Sequence, residues 1–296
     1  MFVKRLGVYS GVMVYALYPS RSTLEGLRGL GWRSWLEGLA KWFAKGIRSS
    51  SFLYRIMTSS TPFPLLETRS GGEVRRGTLS LWVRTLDDLV ICRARAFYSI
   101  REQVEGIPRG IPHIKIRTSD DSLRVEKSTI LRILKEELST VTIISEFEPL
   151  LEARAGSILL RGKPDLYLVV SYRNIMRGLI VELHETDFYA LKRTWHILPR
   201  LYVYALASHK RYGVTPISFS IPLSMSREFA VMCLANTTGS RTTNQARESP
   251  IRVPSISTLY SELNYISSLN EPPQPHFKSK AFCKECKYRT TCEVRR

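Results

Sequence analysis

The chain of 296 residues has no apolar run approaching the roughly 18 residues that cross a bilayer. Its longest candidate, Gly11 to Tyr18, follows Lys4 and Arg5 and could pass for a short signal core. No small-residue cleavage site comes after it, and Pro19-Ser-Arg-Ser is next, so a soluble cytoplasmic protein with no membrane partner is expected. Negative charge is also scarce: 26 Asp and Glu face 44 Lys and Arg, a net charge of +18. That balance excludes a neutral surface and favours a polyanionic partner, nucleic acid ahead of an anionic membrane. Cysteines are few and odd in number: Cys92, Cys233, Cys283, Cys286 and Cys292. A disulfide framework is a poor explanation for such a count in a chain this long. No internal repeat is visible. The composition, 44% apolar and 24% charged, is that of one large globular domain or one domain with appendages.

The order of patterns suggests the organisation. Residues 1–80 are basic and irregular, and the spacing predicts amphipathic helices after Ser22 and over Trp35–Phe43, with the aromatics in a core. Pro62, Pro64, Gly71 and Gly72 mark a loop. A helical stripe runs over 78–104 through Leu86, Leu89, Val90, Ala94, Phe97 and Tyr98. Gly106, Pro108, Gly110 and Pro112 end it, just before His113. A helix is predicted over 122–138, with Arg124, Lys127 and Arg132 on its outer face. The period then changes to short β-branched runs at 141–144, 157–160, 165–170 and 179–183, a strand meander in a mixed sheet. A helix over 191–211 follows, kinked or started late by Pro199. Strands at 217–221 and 229–234, a polar loop over 236–254, a helix over 255–269 and a proline-rich linker at 271–275 complete the chain.

Cys283-x2-Cys286-x5-Cys292 puts three thiolates on a tight loop, which suits a soft metal centre. Zinc prefers paired knuckles or histidine partners, and His276 could be its fourth ligand. A [4Fe-4S] cluster requires four cysteines, so a distant one must complete it. Cys233 lies in an apolar strand and reads as a core thiol. Cys92 is flanked by Arg93 and Arg95, whose positive field would favour a thiolate, so Cys92 is the expected fourth ligand.

A second constellation is acidic. In Gly162-Lys-Pro-Asp165 the carboxylate opens one strand; in Leu179-Ile-Val-Glu182-Leu-His184 another lies in the next, 17 residues on. A hairpin would bring Asp165 and Glu182 to one end of the sheet, with His184 on the same face. Two hard oxygen ligands suit Mg2+ or Mn2+, which can activate water and stabilise charge on a phosphate.

These residues together resemble the RecB-like group of PD-(D/E)xK nucleases, in its CRISPR-associated exonuclease branch with the divergent archaeal type I-A members. That group carries a Gly-x-x-Asp turn, a Glu-x-Lys strand, a helix with Gln-x-x-x-Tyr, one upstream cysteine and three C-terminal ones. Here the matching residues are Cys92 in a helix with Leu89, Arg95 and Tyr98, then His113, Asp165, Glu182, the helix bearing Tyr204, and Cys283, Cys286 and Cys292. The resemblance spans residues 86–296. It implies an α/β, restriction-endonuclease-like mixed sheet flanked by helices, with a C-terminal cysteine cluster region. The expected organisation is a basic helical extension over 1–80, a nuclease-like domain over 81–270 and a cysteine segment over 271–296. The metal ligands would be His113, Asp165 and Glu182. His184, Arg200 and Tyr204 would complete the catalytic set, and a [4Fe-4S] cluster would bind Cys92, Cys283, Cys286 and Cys292.

Two departures matter. The family lysine is replaced by His184, largely neutral at pH 7 and unable to polarise a phosphate as a cation, so Lys163 or Lys192 would have to supply that charge. The family glutamine is Arg200 in Arg200-Leu-Tyr-Val-Tyr204. His196 and His209 are expected to be packing or surface residues. The resemblance therefore implies a metal-dependent exonuclease acting on DNA ends in CRISPR spacer acquisition, with integrase partners. The alternative is a catalytically decayed, DNA-binding subunit of the same complex. Oligomeric state stays open.

Overall fold

The computed structural model describes residues 1–27, 30–49, 51–64, 78–106, 120–184, 195–223, 231–237, 253–274, 283 and 286–292. Two strands open the chain, β1 (Phe2–Tyr9) and β2 (Val12–Tyr18), joined at Ser10-Gly11 with both residues at positive φ. Helices α1 (Arg21–Leu27), α2 (Trp32–Ser49) and α3 (Ser51–Ser59) follow. Strand β3 (Leu79–Trp82) leads into α4 (Arg84–Ile91) and α5 (Arg93–Glu105), and α6 (Asp120–Glu137) comes next. Five strands run on: β4 (Thr142–Phe147), β5 (Leu151–Ala155), β6 (Ile158–Gly162), β7 (Leu166–Tyr172) and β8 (Ile175–His184). A 3-10 turn at Trp195–Ile197, helix α7 (Leu198–Tyr212), strands β9 (Pro216–Pro222) and β10 (Val231–Ala235), and helix α8 (Ile256–Ser268) complete the described elements.

The fold is α/β. Its seven-stranded sheet has the order β1-β2-β10-β9-β8-β7-β4, and only the β8–β9 pair is parallel. Strands β2, β9 and β10 are buried at nearly every position because both faces of the sheet are covered. Val14, Ala16, Tyr167, Ile180 and Leu234 pack towards α4, α5, α7 and α8. Leu17, Leu168, Val181, Phe219 and Cys233 pack the other way, against α2, α3 and α6. A three-stranded sheet, β3-β6-β5, with β3 and β6 parallel, lies on the first of these faces.

The structure corrects the sequence reading in several places. Residues 1–80 are not a helical extension: β1 and β2 extend the main sheet, with β2 paired to β10. Their apolar run looked irregular because β2 is buried on both faces and so has no period. The run at 157–160 leaves the meander and joins the smaller sheet as β6, next to β5, which the sequence reading passed over. The single helix expected over 78–104 is a strand and two helices, broken at Cys92, whose backbone is extended (φ −164, ψ 128). Ser20, not Ser22, caps α1, its Oγ accepting from Thr23 N at 3.3 Å. Pro199 does mark a late helix start, within the first turn of α7. The helix over 255–269 is α8, capped by Ser255.

Candidate functional site

The register of β7 and β8 pairs Leu166 with Val181, so one step further Asp165 stands opposite Glu182. Both lie where β8 ends beside its parallel neighbour β9, the end of an open sheet at which ligands usually bind. Leu166, Val181 and Leu183 face the α2–α6 side, so alternation turns Glu182 and His184 towards α4 and α7. From α7, Arg200 Nη1 reaches Glu182 Oε1 at 2.9 Å, and Arg200 Nη2 reaches Asp87 Oδ2 at 3.2 Å. Asp87 comes from α4 and was not singled out in the sequence. On the other carboxylate, Lys127 Nζ of α6 lies 3.3 Å from Asp165 Oδ1. Asp165 Oδ2 accepts from Leu183 N at 2.6 Å, which ties the turn to β8.

The charges are unevenly matched. One guanidinium serves two buried carboxylates, and Glu182 Oε2 and Asp87 Oδ1 are buried without a hydrogen-bond partner among the described residues. Burial pushes the Glu182 carboxyl up to about 7; Arg200 opposes the shift and Asp165 adds to it. Burial also raises Asp87, against the pull of Arg200 and His196. Burial works against the charge on Arg200, but Asp87 and Glu182 outweigh it and hold the guanidinium ionised. His184 is driven down to about 3, first by burial and then by the positive fields of Arg200, His196 and Lys127. Its imidazole is neutral and offers no positive charge to the site. Tyr204 is buried behind Gly162: a Cβ there would sit 2.5 Å from Val83 Cγ1 and 2.6 Å from Tyr204 Cε1. A glycine at the Gly162-Lys-Pro-Asp165 turn therefore lets α7 close on β6.

Three expectations change here. Lys127 points into the site instead of lying on the outer face of its helix. Lys163 is exposed and Lys192 lies outside the described residues, as do His113 and His276. His196 is a site residue, its ring centroid 5.6 Å from that of His184, and its charge acts on Asp87. His209, by contrast, caps the end of α7, with Nδ1 3.3 Å from Val214 O.

The cysteines form the second locus. Cys286 and Cys292 both act electrostatically on Cys92, which brings residues nearly 200 positions apart to one place. Tyr98 Oη donates to Thr291 O at 3.0 Å, and Lys287 Nζ and Tyr288 Oη reach Glu102 Oε2 at 3.0 and 2.5 Å. Cys283 O accepts from Cys286 N at 3.4 Å in the same turn. The positive field expected at Cys92 is spent elsewhere: Arg93 pairs with Glu262, and Arg95 Nε with Asp88 Oδ1 at 2.5 Å. The Cys92 thiol is raised, chiefly by burial. Cys233 is fully buried in β10 and is likewise raised by burial, as a core thiol should be. Among the described residues no group of three or more His, Cys, Asp or Glu side chains is gathered as a metal-binding set. Among them, too, no helix is long and apolar enough to cross a membrane.

No family model and no curated protein matches this chain. Among solved structures it is similar to the crystal structure of SSO0001, at 13% identity over 74% of this chain and 88% of that one, with a TM-score of 0.38.

Proposed function

We propose that the chain is a metal-dependent deoxyribonuclease acting at DNA ends in CRISPR spacer acquisition, in the cytoplasm and alongside integrase proteins. The observation that carries the reading is the convergence of Asp87, Asp165, Glu182 and Lys127 from four elements at one end of the sheet. Three carboxyl groups face Lys127 and Arg200, and two of their oxygens lack hydrogen-bond partners among the described residues. That donor set fits a hard divalent ion held by Asp165 and Glu182. When bound, Mg2+ or Mn2+ would supply an activated water and offset charge on the phosphate. Lys127 takes the place of the missing family lysine, holding the attacked phosphate as a cation from a helix instead of from β8. His184 stays neutral at pH 7 and offers a ring nitrogen to the site. Arg200 positions Glu182, and Tyr204 supports the turn through Gly162.

The sulfur locus is read as a [4Fe-4S] centre on Cys92, Cys283, Cys286 and Cys292, structural in role, because Cys92 meets the C-terminal turn. Zinc is the other outcome of metal analysis. CRISPR membership rests on the combined cysteine and carboxylate pattern of the sequence.

The test is cleavage of single-stranded and duplex DNA with Mg2+ or Mn2+. Asp165→Ala should abolish cutting and spare binding. Lys127→Met should slow cutting by about 100-fold or more, and Lys127→Arg by less. Cutting that persists in Asp165→Ala would refute the site.

One observation favours a second reading. Arg200 already sits between Asp87 and Glu182, as an internal counter-ion would in a decayed site. Salt-sensitive DNA binding with no cutting under either metal would make the protein a DNA-binding subunit.

A further inference from the structure

Strands β3 and β6 run side by side towards the carboxylates, and their register pairs Trp82 with Arg161. Val83 N donates to Arg161 O at 2.7 Å, which carries the ladder one step on and sets Arg84 level with Lys163. Burial alternates along both strands. Leu81, Val83, Leu160 and Gly162 face the core; Trp82, Arg84, Arg161 and Lys163 face outward. The outer row is therefore an indole beside a guanidinium, then two more cations, then the acids. Asp87 sits on the first turn of α4 and Asp165 two residues past Lys163.

A single exposed tryptophan means little on its own. This one is 47% exposed on an anchored stretch of backbone: its N donates to Gln103 Oε1 at 2.6 Å, and Gln103 Nε2 donates to Thr85 Oγ1 at 2.8 Å. The Arg161 guanidinium carbon lies 6.0 Å from the indole centroid, and Arg161 Nε is buried without a hydrogen-bond partner. Among the described residues Arg84, Arg161 and Lys163 have no ion-pair partner, although Glu152 stands level with Arg161 on β5. Three cations without an ion-pair partner and an exposed indole, beside the carboxyl end of the sheet, complement an anionic strand with a free base face. A duplex keeps its base faces stacked and cannot offer one.

We propose that the outer face of the three-stranded sheet is a binding site for single-stranded nucleic acid, in which Trp82 stacks on an unpaired base and Arg161, Arg84 and Lys163 take the phosphates that follow. The direction of travel towards Asp165 rests on the nuclease reading; the binding does not. Four residues from Arg161 to Asp165 cover at most ~13 Å, the length of about four stacked nucleotides.

The test is anisotropy of a labelled single-stranded oligonucleotide, and of a blunt duplex of the same sequence, with the full-length protein in EDTA. Trp82→Ala should weaken single-strand binding about tenfold or more and leave duplex binding within about twofold. Trp82→Phe should retain most of the affinity. Arg161→Ala should lower the salt dependence by about one phosphate contact. Melting temperatures of the variants should stay at that of the parent, which separates lost stacking from lost fold. Single-strand binding by Trp82→Ala at parental strength, or no single-strand binding by the parent, overturns the proposal. Cleavage with Trp82-independent binding sinks this inference alone; Trp82-dependent binding without cleavage sinks the nuclease reading alone.

Discussion

One guanidinium between two buried carboxyl groups cannot neutralise both, and burial raises the pKa of each against its pull. Glu182 at about 7 favours the fold while protonated. Its contribution is complete below 4.5, the ordinary value, and is lost as pH rises through about 7. His184 at about 3 runs the other way: the fold favours the neutral ring, so its contribution is complete above 6.5 and is lost as pH falls towards 3. Urea denaturation in EDTA should therefore show Glu182→Gln gaining on the parent between pH 4.5 and 7. His184→Gln should gain on it as pH falls from 6.5. Flat differences across those windows would mean that the two groups are not buried as described. Asp165 and Glu182 were legible in the sequence because a Gly-x-x-Asp turn and an adjacent strand fix their relation locally. Asp87, Lys127 and His196 were not, because tertiary packing alone brings α4, α6 and the turn before α7 to the same sheet end. Asp87 carried one faint signal: it lies inside the apolar stripe between Leu86 and Leu89, where an acid needs a reason to be buried.

Elements buried on both faces hide their identity. Strand β2 shows no alternation, and without a partner in view its residues resemble a signal core or a fragment of helix. The burial pattern explains this: Val12 to Leu17 are all in one or other core. If the hairpin were an appendage, truncating it would cost little. As a sheet element it behaves otherwise. Leu17→Ala, at a fully buried site paired to Val231, should cost about 2–5 kcal/mol in chemical denaturation. A loss under about 0.5 kcal/mol would return residues 1–18 to the status of an extension. The small sheet escaped for a different reason. Strand β3 is four residues long and runs straight into α4, so the helical periodicity of α4 and α5 masked it.

The whole molecule is closed by its C-terminal turn on α5. Tyr288 is fully buried, packs its ring against Tyr98 with centroids 5.4 Å apart and donates to Glu102, so the turn is packed as core and not merely tethered. The docking brings Cys92 to Cys286 and Cys292 and leaves Cys233 isolated on the far face of the sheet. Anaerobically purified protein should be brown. Cys92→Ala should lose both the colour and the bound iron, whereas Cys233→Ala should keep them; a colourless parent containing zinc would exchange the metal but not the partner. The clustering of three cysteines was plain in the sequence. That Cys286 and Cys292 meet residue 92 depends on how α5 and the terminal turn pack, which no local pattern encodes.

The strand order has a further consequence, for synthesis. Strand β2 lies between β1 and β10, so a segment made among the first eighteen residues waits for one made after residue 230. Until β10 has been made, β2 can pair only with β1, and the other edge of this apolar ribbon of seven residues stays open. Such long-range pairing slows folding and leaves nascent chains exposed to one another. Slower translation or a holdase chaperone during expression should therefore raise the yield of native protein more than any change at its surface.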